Sequence, residues 1–254
     1  MSVLDLFRLD GKIAVVTGAG KDVGRGISRA LAEAGAHLVV NSRTAVDLDS
    51  LVQEIRRIGR RAIAVPGDVT GVEQLHHLAD RAMDTFGRID IWINNAGELP
   101  DNTPSYRTRS SGEDWALPPD VNSNALWAGC VEAAARMEEQ GGVIVNIASR
   151  ASRDAKNGSC GGSRGMVNSL TATFARELAP KIRVNAVAMG PVPAPEDQDR
   201  RKAPSPEQKA ARELMALPMQ RWGTSQDIGA AVVYMSSPAS SWVTGHVLCV
   251  TGGS

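Results

Sequence analysis

The stretch that most constrains the fold covers residues 13–31. Residues 13–16 form an uncharged, β-rich apolar run that suits a buried strand, and glycines interrupt it between Thr17 and Gly20. From Val23 onward apolar residues recur at helical spacing. A helix that begins after a glycine-rich turn presents unpaired N–H groups and the positive end of its dipole, which suits a phosphate group. The stretch therefore predicts a strand, a glycine-rich turn and a helix of the dinucleotide-binding type.

Apolar strands and amphipathic helices alternate along the rest of the chain as far as residue 250. This alternation predicts an α/β, doubly wound Rossmann-type fold, with a mostly parallel seven-stranded sheet and helices on both faces. We expect one domain over residues 1–254, with a mobile lid at about residues 191–217, where proline and charge are frequent. Further strands are expected at 37–41, 62–66, 89–93, 143–147 and 181–188, and helices at 47–59, 72–86 and 121–139.

Composition excludes several classes of function. The 254-residue chain is 43% hydrophobic and has a formal net charge of zero, so we expect no binding to nucleic acid or to an anionic membrane. No apolar run approaches the length of a membrane span, and the N-terminal segment does not resemble a signal peptide. The three cysteines are widely spaced and form no metal-binding pattern. We expect a cytoplasmic protein with no metal site.

Several motifs resemble those of the short-chain dehydrogenase/reductase (SDR) family. Its fingerprint, T-G-x-x-x-G-x-G, is matched by Thr17, Gly18 and Gly24, while Asp22 stands in place of the middle glycine. The Asn-Asn-Ala-Gly sequence at residues 94–97 is the most specific match in the N-terminal half. The similarity covers nearly the whole chain and implies a nicotinamide dinucleotide as cofactor.

The end of the second predicted strand bears on which cofactor is used. In the SDR family an acidic residue there binds the adenosine ribose of NAD, but this chain offers Arg43, and Lys21 approaches from the glycine-rich turn. Two cations favour a 2′-phosphate, hence NADP(H). Alternatives remain open: the cations could be solvated surface charges, and Asp22 could cap the helix of a site that has lost its cofactor. The resemblance assigns cofactor contacts to Gly18, Lys21, Asp22, Val23, Arg43, Asp68, Val69, Asn95, Ala96, Gly97, Arg164, Gly190 and Val192.

The catalytic residues of the family are only partly present. Ser149 matches the family's catalytic serine and Asn122 its active-site asparagine, although Ser149 could instead cap the end of a strand. Where the family has Tyr-x-x-x-Lys, this chain has Cys160 and Arg164. Cys160 could be a thiolate nucleophile beside Arg164, or a small buried residue that fills the space left by tyrosine. Tyr106 lies in a polar loop, where it could replace the missing acid.

The resemblance implies an NADP(H)-linked oxidoreductase with an altered active site, which reduces an imine, an iminium ion or a carbonyl of a small molecule. Two alternatives stay open. One is a non-redox lyase, cyclase or dehalogenase-like enzyme on the same scaffold, and the other is a catalytically silent subunit. The family-like C-terminal segment, residues 218–254, implies a homo-oligomer, either a dimer or a tetramer.

Overall fold

The computed structural model describes residues 2–97, 123–150, 158–193 and 217–253, with the side chains of residues 158–164 left out. These segments form one seven-stranded sheet in the order β3-β2-β1-β4-β5-β6-β7, and every pair of neighbouring strands is parallel. The predicted doubly wound sheet is therefore confirmed. The strands are β1 Ile13–Val16, β2 His37–Val40, β3 Ala62–Ala64, β4 Ile91–Asn94, β5 Gly142–Ser149, β6 Ile182–Met189 and β7 Val247–Val250.

Helices cover both faces of the sheet. Within the described residues, α1, α2 and α6 contribute to one hydrophobic core, and α3, α4 and α5 contribute to the other. Alternate residues of β1 point to opposite cores, so that Val16 belongs to the first and Val15 to the second. A sheet buried on both faces explains why its strands are continuous apolar runs. The helices are α1 Asp22–Glu33, α2 Ala45–Arg57, α3 Val72–Phe86, α4 Ala125–Met137, α5 Gly158–Leu178 and α6 Ser225–Ser236.

Most predicted strand boundaries shift by one or two residues, and two of these shifts bear on the site. The fourth strand begins at Ile91 rather than at residue 89. Just before it, the buried Asp90 side chain accepts hydrogen bonds from Ile13 N and Lys12 Nζ at 3.0 and 3.1 Å. The fifth strand extends beyond residue 147 to Ser149, because Ser149 pairs with Met189 of β6. Ser149 is thus the last residue of β5 and does not lie just beyond it.

The strand order reverses between β1 and β4, which opens a crevice at the carboxyl ends of these two strands. Thr17, Val69, Asn94 and Ala96 are among the residues that line a small cleft there. Most of the predicted lid, residues 194–216, lies outside the described residues. The crevice is therefore the place to look for a site.

Helix α1 crosses α6 through glycines. A Cβ added to Gly26 would lie 2.3 Å from Ser225 Cβ, and one added to Gly229 would lie 2.7 Å from Ala30 Cβ. The two helices approach closely only because these positions carry no side chain. This contact matters for the crevice, since α1 begins at its edge.

We predict that Gly26→Ala lowers the free energy of unfolding by about 1–3 kcal/mol, because the added methyl group overpacks the crossing. Gly165→Ala on α5 is the matched control, since no atom of the described residues lies within 4 Å of its added Cβ. That control should raise stability by about 0.5–1 kcal/mol, because alanine restricts the unfolded chain more than glycine. Urea denaturation measures both. Stabilisation by both substitutions would contradict the close crossing.

Candidate active site

The side chain of Thr17 joins the end of β1 to the end of β4. Its hydroxyl donates to Ile93 O at 3.3 Å and accepts from the N–H groups of Asn95 and Ala96, each at 3.1 Å. Asn95 Nδ2 also joins the two strand ends, because it donates to Thr17 O and Gly18 O, both at 3.0 Å. The hydroxyl of Thr17 and the amide of Asn95 thus hold the two edges of the crevice at a fixed separation.

The glycine-rich turn is packed too closely for side chains. Gly18 has φ +63°, and a Cβ there would lie 2.8 Å from Ala96 Cα. A Cβ on Gly24 would lie 2.0 Å from Gly18 O. Asp22 has φ 46°, the left-handed backbone region that glycine adopts most readily and aspartate tolerates better than most residues. The aspartate therefore adopts a backbone conformation that glycine would adopt with less strain.

The beginning of α1 is suited to an anion, as the sequence predicted. Lys21 is the N-cap residue and makes no side-chain capping hydrogen bond. Asp22 is the first residue of the helix. Its negative charge lies at the positive end of the helix dipole, where it is favoured but also opposes a second anion.

The end of β2 carries no carboxylate. Asn41 is buried, and its Nδ2 donates to Val65 O at 2.9 Å and Gly67 O at 3.2 Å, which ties β2 to the end of β3. Ser42 lies against Gly20, where an added Cβ would be 2.7 Å from Ser42 Oγ. Arg43 is exposed next to it. Lys21 Nζ lies 3.6 Å from Asp47 Oδ2 at the beginning of α2.

Asp68 follows β3 and closes a local turn. Thr70 N and Thr70 Oγ1 donate to Asp68 Oδ1 at 3.0 and 2.9 Å. These two hydrogen bonds, with a further contribution from the charge of Arg43, hold the pKa of Asp68 below its usual range. Val69 is buried beside this turn, so that it forms part of the crevice wall.

A chain of buried polar side chains runs beneath the crevice from β4 to α5. Trp92 Nε1 donates to Asn94 Oδ1 at 2.8 Å, Asn94 Nδ2 to Asn146 Oδ1 at 2.9 Å, and Asn146 Nδ2 to Thr171 Oγ1 at 3.0 Å. Thr171 Oγ1 then donates to Val167 O at 2.7 Å. Each donor thus has an acceptor, so the network fixes β4, β5 and α5 relative to one another.

Cys130 on α4 lies against this chain. Asn94 Nδ2 is 3.4 Å from Cys130 Sγ, which is itself 3.6 Å from Asn146 Oδ1. Burial raises the pKa of the Cys130 thiol to about 12, so the thiol stays protonated and unreactive at neutral pH. Cys130 is therefore part of the core and not a nucleophile.

Comparison with known proteins agrees with this geometry. The family described as enoyl-(acyl carrier protein) reductase matches residues 18–254. An uncharacterized oxidoreductase of Mycobacterium tuberculosis is 38% identical over 256 residues, which cover 99% of this chain and 95% of the relative. The solved structure of a short-chain type dehydrogenase/reductase from Mycobacterium marinum superposes with a TM-score of 0.88 at 31% identity, covering 100% of this chain and 98% of that one.

The chain belongs to the SDR family. The chain is an oxidoreductase of the SDR type. Members of this family use nicotinamide cofactors. A 7α-hydroxysteroid dehydrogenase whose structure was solved with NADH and 7-oxo-glycochenodeoxycholic acid is also similar, with a TM-score of 0.86 and 34% identity over 100% of this chain and 98% of that one. The family resemblance inferred from the motifs is thus confirmed.

The structure brings most of the predicted SDR cofactor residues to one edge of the sheet. They follow five different strands, and parallel strands place their carboxyl ends together. The residues at this edge are Gly18, Lys21, Asp22 and Val23 after β1, Arg43 after β2, Asp68 and Val69 after β3, Asn95, Ala96 and Gly97 after β4, and Gly190 and Val192 after β6. Whether they hold a cofactor stays a prediction.

The predicted catalytic residues are described less completely. Ser149 ends β5, half-buried at the same edge of the sheet as the cofactor residues. Asn122 and Tyr106 lie outside the described residues. Cys160 and Arg164 lie in the N-terminal part of α5, whose side chains are not described there.

Sequence reasoning missed two parts of the site. It did not anticipate that Asp47 lies beside Lys21, nor that Asn146 and Thr171 continue the polar chain from Asn94. An acidic residue in the first turn of a helix is common, so Asp47 gave no distinct signal. Asn146 in an otherwise apolar strand was a usable signal, because a buried amide requires partners.

Two further features of the described residues concern membranes and metals. No helix among them combines the length and the apolar character that crossing a membrane requires. No group of three or more metal-ligating side chains occurs in the same part of the chain.

We predict that Thr17→Val lowers the free energy of unfolding by about 1–3 kcal/mol, because it leaves the N–H groups of Asn95 and Ala96 without their acceptor. Valine matches threonine in shape, so the loss is polar rather than steric. Thr17→Ser keeps the hydroxyl and is the control. Chemical denaturation compares the two variants, and equal losses would show that the hydrogen bonds do not hold the crevice edge.

Proposed function

We propose that this chain is an NADP(H)-linked SDR-type oxidoreductase whose altered active site reduces an imine, an iminium ion or a carbonyl of a small molecule. The observation that carries the cofactor assignment is the corner formed by the ends of β1 and β2. Lys21 and Arg43 are both exposed there, and the Asn41 amide is occupied by Val65 O and Gly67 O. No acidic residue follows β2 directly to bind ribose hydroxyls, so the corner favours a 2′-phosphate.

The residues of the crevice fit a dinucleotide. The glycine-rich turn keeps the left-handed backbone at Gly18 and Asp22, and α1 begins without a side-chain cap from Lys21. We assign the pyrophosphate to the beginning of α1, the 2′-phosphate to Lys21 and Arg43, and the adenine to Asp68 and Val69. Asn95, Ala96 and Gly97, with Gly190, Val192 and Arg164, then border the nicotinamide half. The NADH bound by the 7α-hydroxysteroid dehydrogenase relative supports a nicotinamide cofactor but not the choice of NADP(H).

When bound, the nicotinamide supplies the hydride, and the protein supplies position and polarity. Ser149 is held at the end of β5 by its pairing with Met189, and Arg150 N donates to Met189 O at 3.0 Å beside it. A hydroxyl fixed in this way polarises the substrate nitrogen or oxygen. In our proposal Asn122 holds a water beside it, and Arg164 keeps the positive charge that the family's lysine provides.

The replacement of Tyr-x-x-x-Lys by Cys160 and Arg164 favours a substrate that needs little acid catalysis. An iminium ion is already cationic, so hydride addition neutralises it without a proton from the enzyme. A neutral carbonyl needs a proton, which cysteine donates less readily than a phenol does. We therefore propose iminium ions, including imines that are protonated in solution before they bind, as preferred substrates, and carbonyls as slower ones.

The assembly that we propose is a homodimer or homotetramer. Trp127 and Val131 are one helical turn apart on α4, each 47% exposed, and Met166 on α5 is 44% exposed. Trp127 also contacts Phe174, with ring centroids 4.9 Å apart. Exposed apolar side chains on two adjacent helices support an interface between copies of the chain.

Calorimetric titration with NADPH and NADH tests the cofactor assignment. Arg43→Ala should weaken NADPH binding by about 1–3 kcal/mol and leave NADH binding unchanged, because only NADPH carries the 2′-phosphate. Arg57→Ala is the matched control, since this exposed arginine lies in the last turn of α2. Equal losses for both cofactors would contradict the assignment. If the natural chain binds neither cofactor but Asp22→Gly binds them, the site has lost its cofactor through that carboxylate.

We predict that Ser149→Ala lowers turnover on the order of 10²–10³-fold, the loss typical of one oriented donor. Cys160→Ala should change turnover little, because no histidine lies near Cys160 in the sequence to act as its base. NADPH oxidation with a cyclic imine, a cyclic ketone and 7-oxo-glycochenodeoxycholic acid provides the measurement.

Two further results complete this test. Cys160→Tyr combined with Arg164→Lys should raise ketone reduction relative to imine reduction, because it restores the proton donor. Loss of activity in Cys160→Ala, with folding and cofactor affinity intact, would instead make the thiol catalytic. Activity unaffected by every one of these substitutions would contradict the proposed site.

A further inference from the structure

Asp47 lies against the glycine-rich turn although it belongs to another helix. It is in the first turn of α2, with its side chain 26% exposed. A Cβ added to Gly20 would lie 3.2 Å from Asp47 Cβ and 3.3 Å from Ser42 Cβ. The turn, the end of β2 and the beginning of α2 therefore meet at one corner, which is the corner assigned above to the 2′-phosphate.

Arg25 holds this corner together. Its NH1 donates to Gly20 O and Asp47 O, each at 3.2 Å, and its NH2 donates to Ser50 Oγ at 2.9 Å and Glu54 Oε1 at 2.6 Å. One guanidinium thus joins the glycine-rich turn to the first three turns of α2. Because the backbone of Asp47 is held in this way, its carboxylate stays beside the turn.

The Asp47 carboxylate faces Lys21. Lys21 Nζ lies 3.6 Å from Asp47 Oδ2, and the lysine side chain is 63% exposed. An ion pair as exposed as this one is weak, so the lysine can leave the carboxylate for a stronger anion. A phosphate dianion is such an anion, but its approach also brings it near the charge of Asp47.

Arg43, the second cation of the corner, lies near a different carboxylate from the one that faces Lys21. Arg43 acts on Asp68 through its charge, but Oδ1 of Asp68 already accepts two hydrogen bonds from Thr70 within its own turn. Asp47 Oδ2 is instead the oxygen nearest the Lys21 ammonium. Of these two carboxylates, Asp47 is thus the one paired with a cation assigned to the phosphate.

We propose that Asp47 is a specificity-determining residue, whose carboxylate competes with the 2′-phosphate of the cofactor for Lys21. It lowers the preference of the site for 2′-phosphorylated dinucleotides over unphosphorylated ones. This inference rests on the proposed function, because it takes the corner to be the adenosine site. It adds that the cofactor preference depends on the carboxylate of Asp47 as well as on Lys21 and Arg43.

Binding of cofactor fragments tests the proposal without any redox chemistry. The probes are 2′-phospho-ADP-ribose and ADP-ribose, titrated by calorimetry. Asp47→Asn should tighten binding of 2′-phospho-ADP-ribose about two- to fivefold relative to ADP-ribose, the range expected when one exposed ion pair is removed. Asp49→Asn is the matched control, because it removes the same charge from an exposed position two residues along α2. Thermal melting confirms that both variants are folded.

A double-mutant cycle with Lys21→Gln isolates the competition. In the Lys21→Gln background, Asp47→Asn should change the affinity ratio of the two probes by less than it does in the natural chain. Equal changes in both backgrounds, or equal changes for Asp47→Asn and Asp49→Asn, would overturn the proposal.

The two proposals fail in different ways. If the natural chain binds neither probe, the dinucleotide site fails, and the role of Asp47 fails with it. If it binds ADP-ribose more tightly than 2′-phospho-ADP-ribose, the NADP(H) assignment fails, whereas the change of that ratio in Asp47→Asn still decides the role of Asp47.

Discussion

The connection between the ends of β1 and β4 is the interaction on which the rest of the site depends. Asn95 donates to Thr17 from both its backbone N–H and its Nδ2, and Thr17 Oγ1 also accepts from the N–H of Ala96. Since the strand order reverses here, no strand pairing continues beyond the ends of β1 and β4 to hold the two loops. The side chains of Thr17 and Asn95 make the hydrogen bonds that hold the two loops together, so the crevice between the loops keeps its width.

Charge in this crevice is balanced rather than uniformly positive. Lys21 is paired with Asp47, Arg25 with Glu54, and Arg43 acts on Asp68. Asp22 adds a negative charge at the beginning of α1, where glycine would be neutral. In our proposal, an anionic cofactor binds here when Lys21 leaves the carboxylate of Asp47 for a phosphate group of the cofactor. The affinity and the selectivity proposed for the site therefore depend on how weak this ion pair is.

The scaffold of the SDR fold is retained beneath the residues to which we assign the altered chemistry. Asn94, Asn146 and Thr171 still join β4, β5 and α5 beneath the crevice. The same α5 carries Cys160 and Arg164, so the scaffold still positions the helix on which the family places its tyrosine and lysine. Helix α5 is therefore held in place by the retained fold, and in our proposal its side chains at Cys160 and Arg164 change the chemistry.

The sequence alone determined the seven strands, the helices between them and the parallel arrangement of the sheet. Apolar runs and glycine-rich turns encode these features locally, and β1 and α3 have the predicted bounds. The motifs also identified the strand ends that carry Gly18, Arg43 and Asn95. Strand ends were less well predicted, because they depend on pairing with neighbouring strands, as the end of β5 depends on the pairing of Ser149 with Met189.

Only the tertiary structure decided which side chains meet. Lys21, Arg25 and Asp47 lie on different elements, and they come together because β2 packs beside β1 and places the beginning of α2 against the glycine-rich turn. Likewise, Asn94 and Asn146 are 52 residues apart and meet because β4 and β5 are neighbours. Such contacts depend on strand order, which the spacing of apolar residues does not encode. The hydrophobic pattern of the sequence therefore determined the strands and helices of this protein. The packing of these elements determined which charged and polar side chains meet at the candidate site.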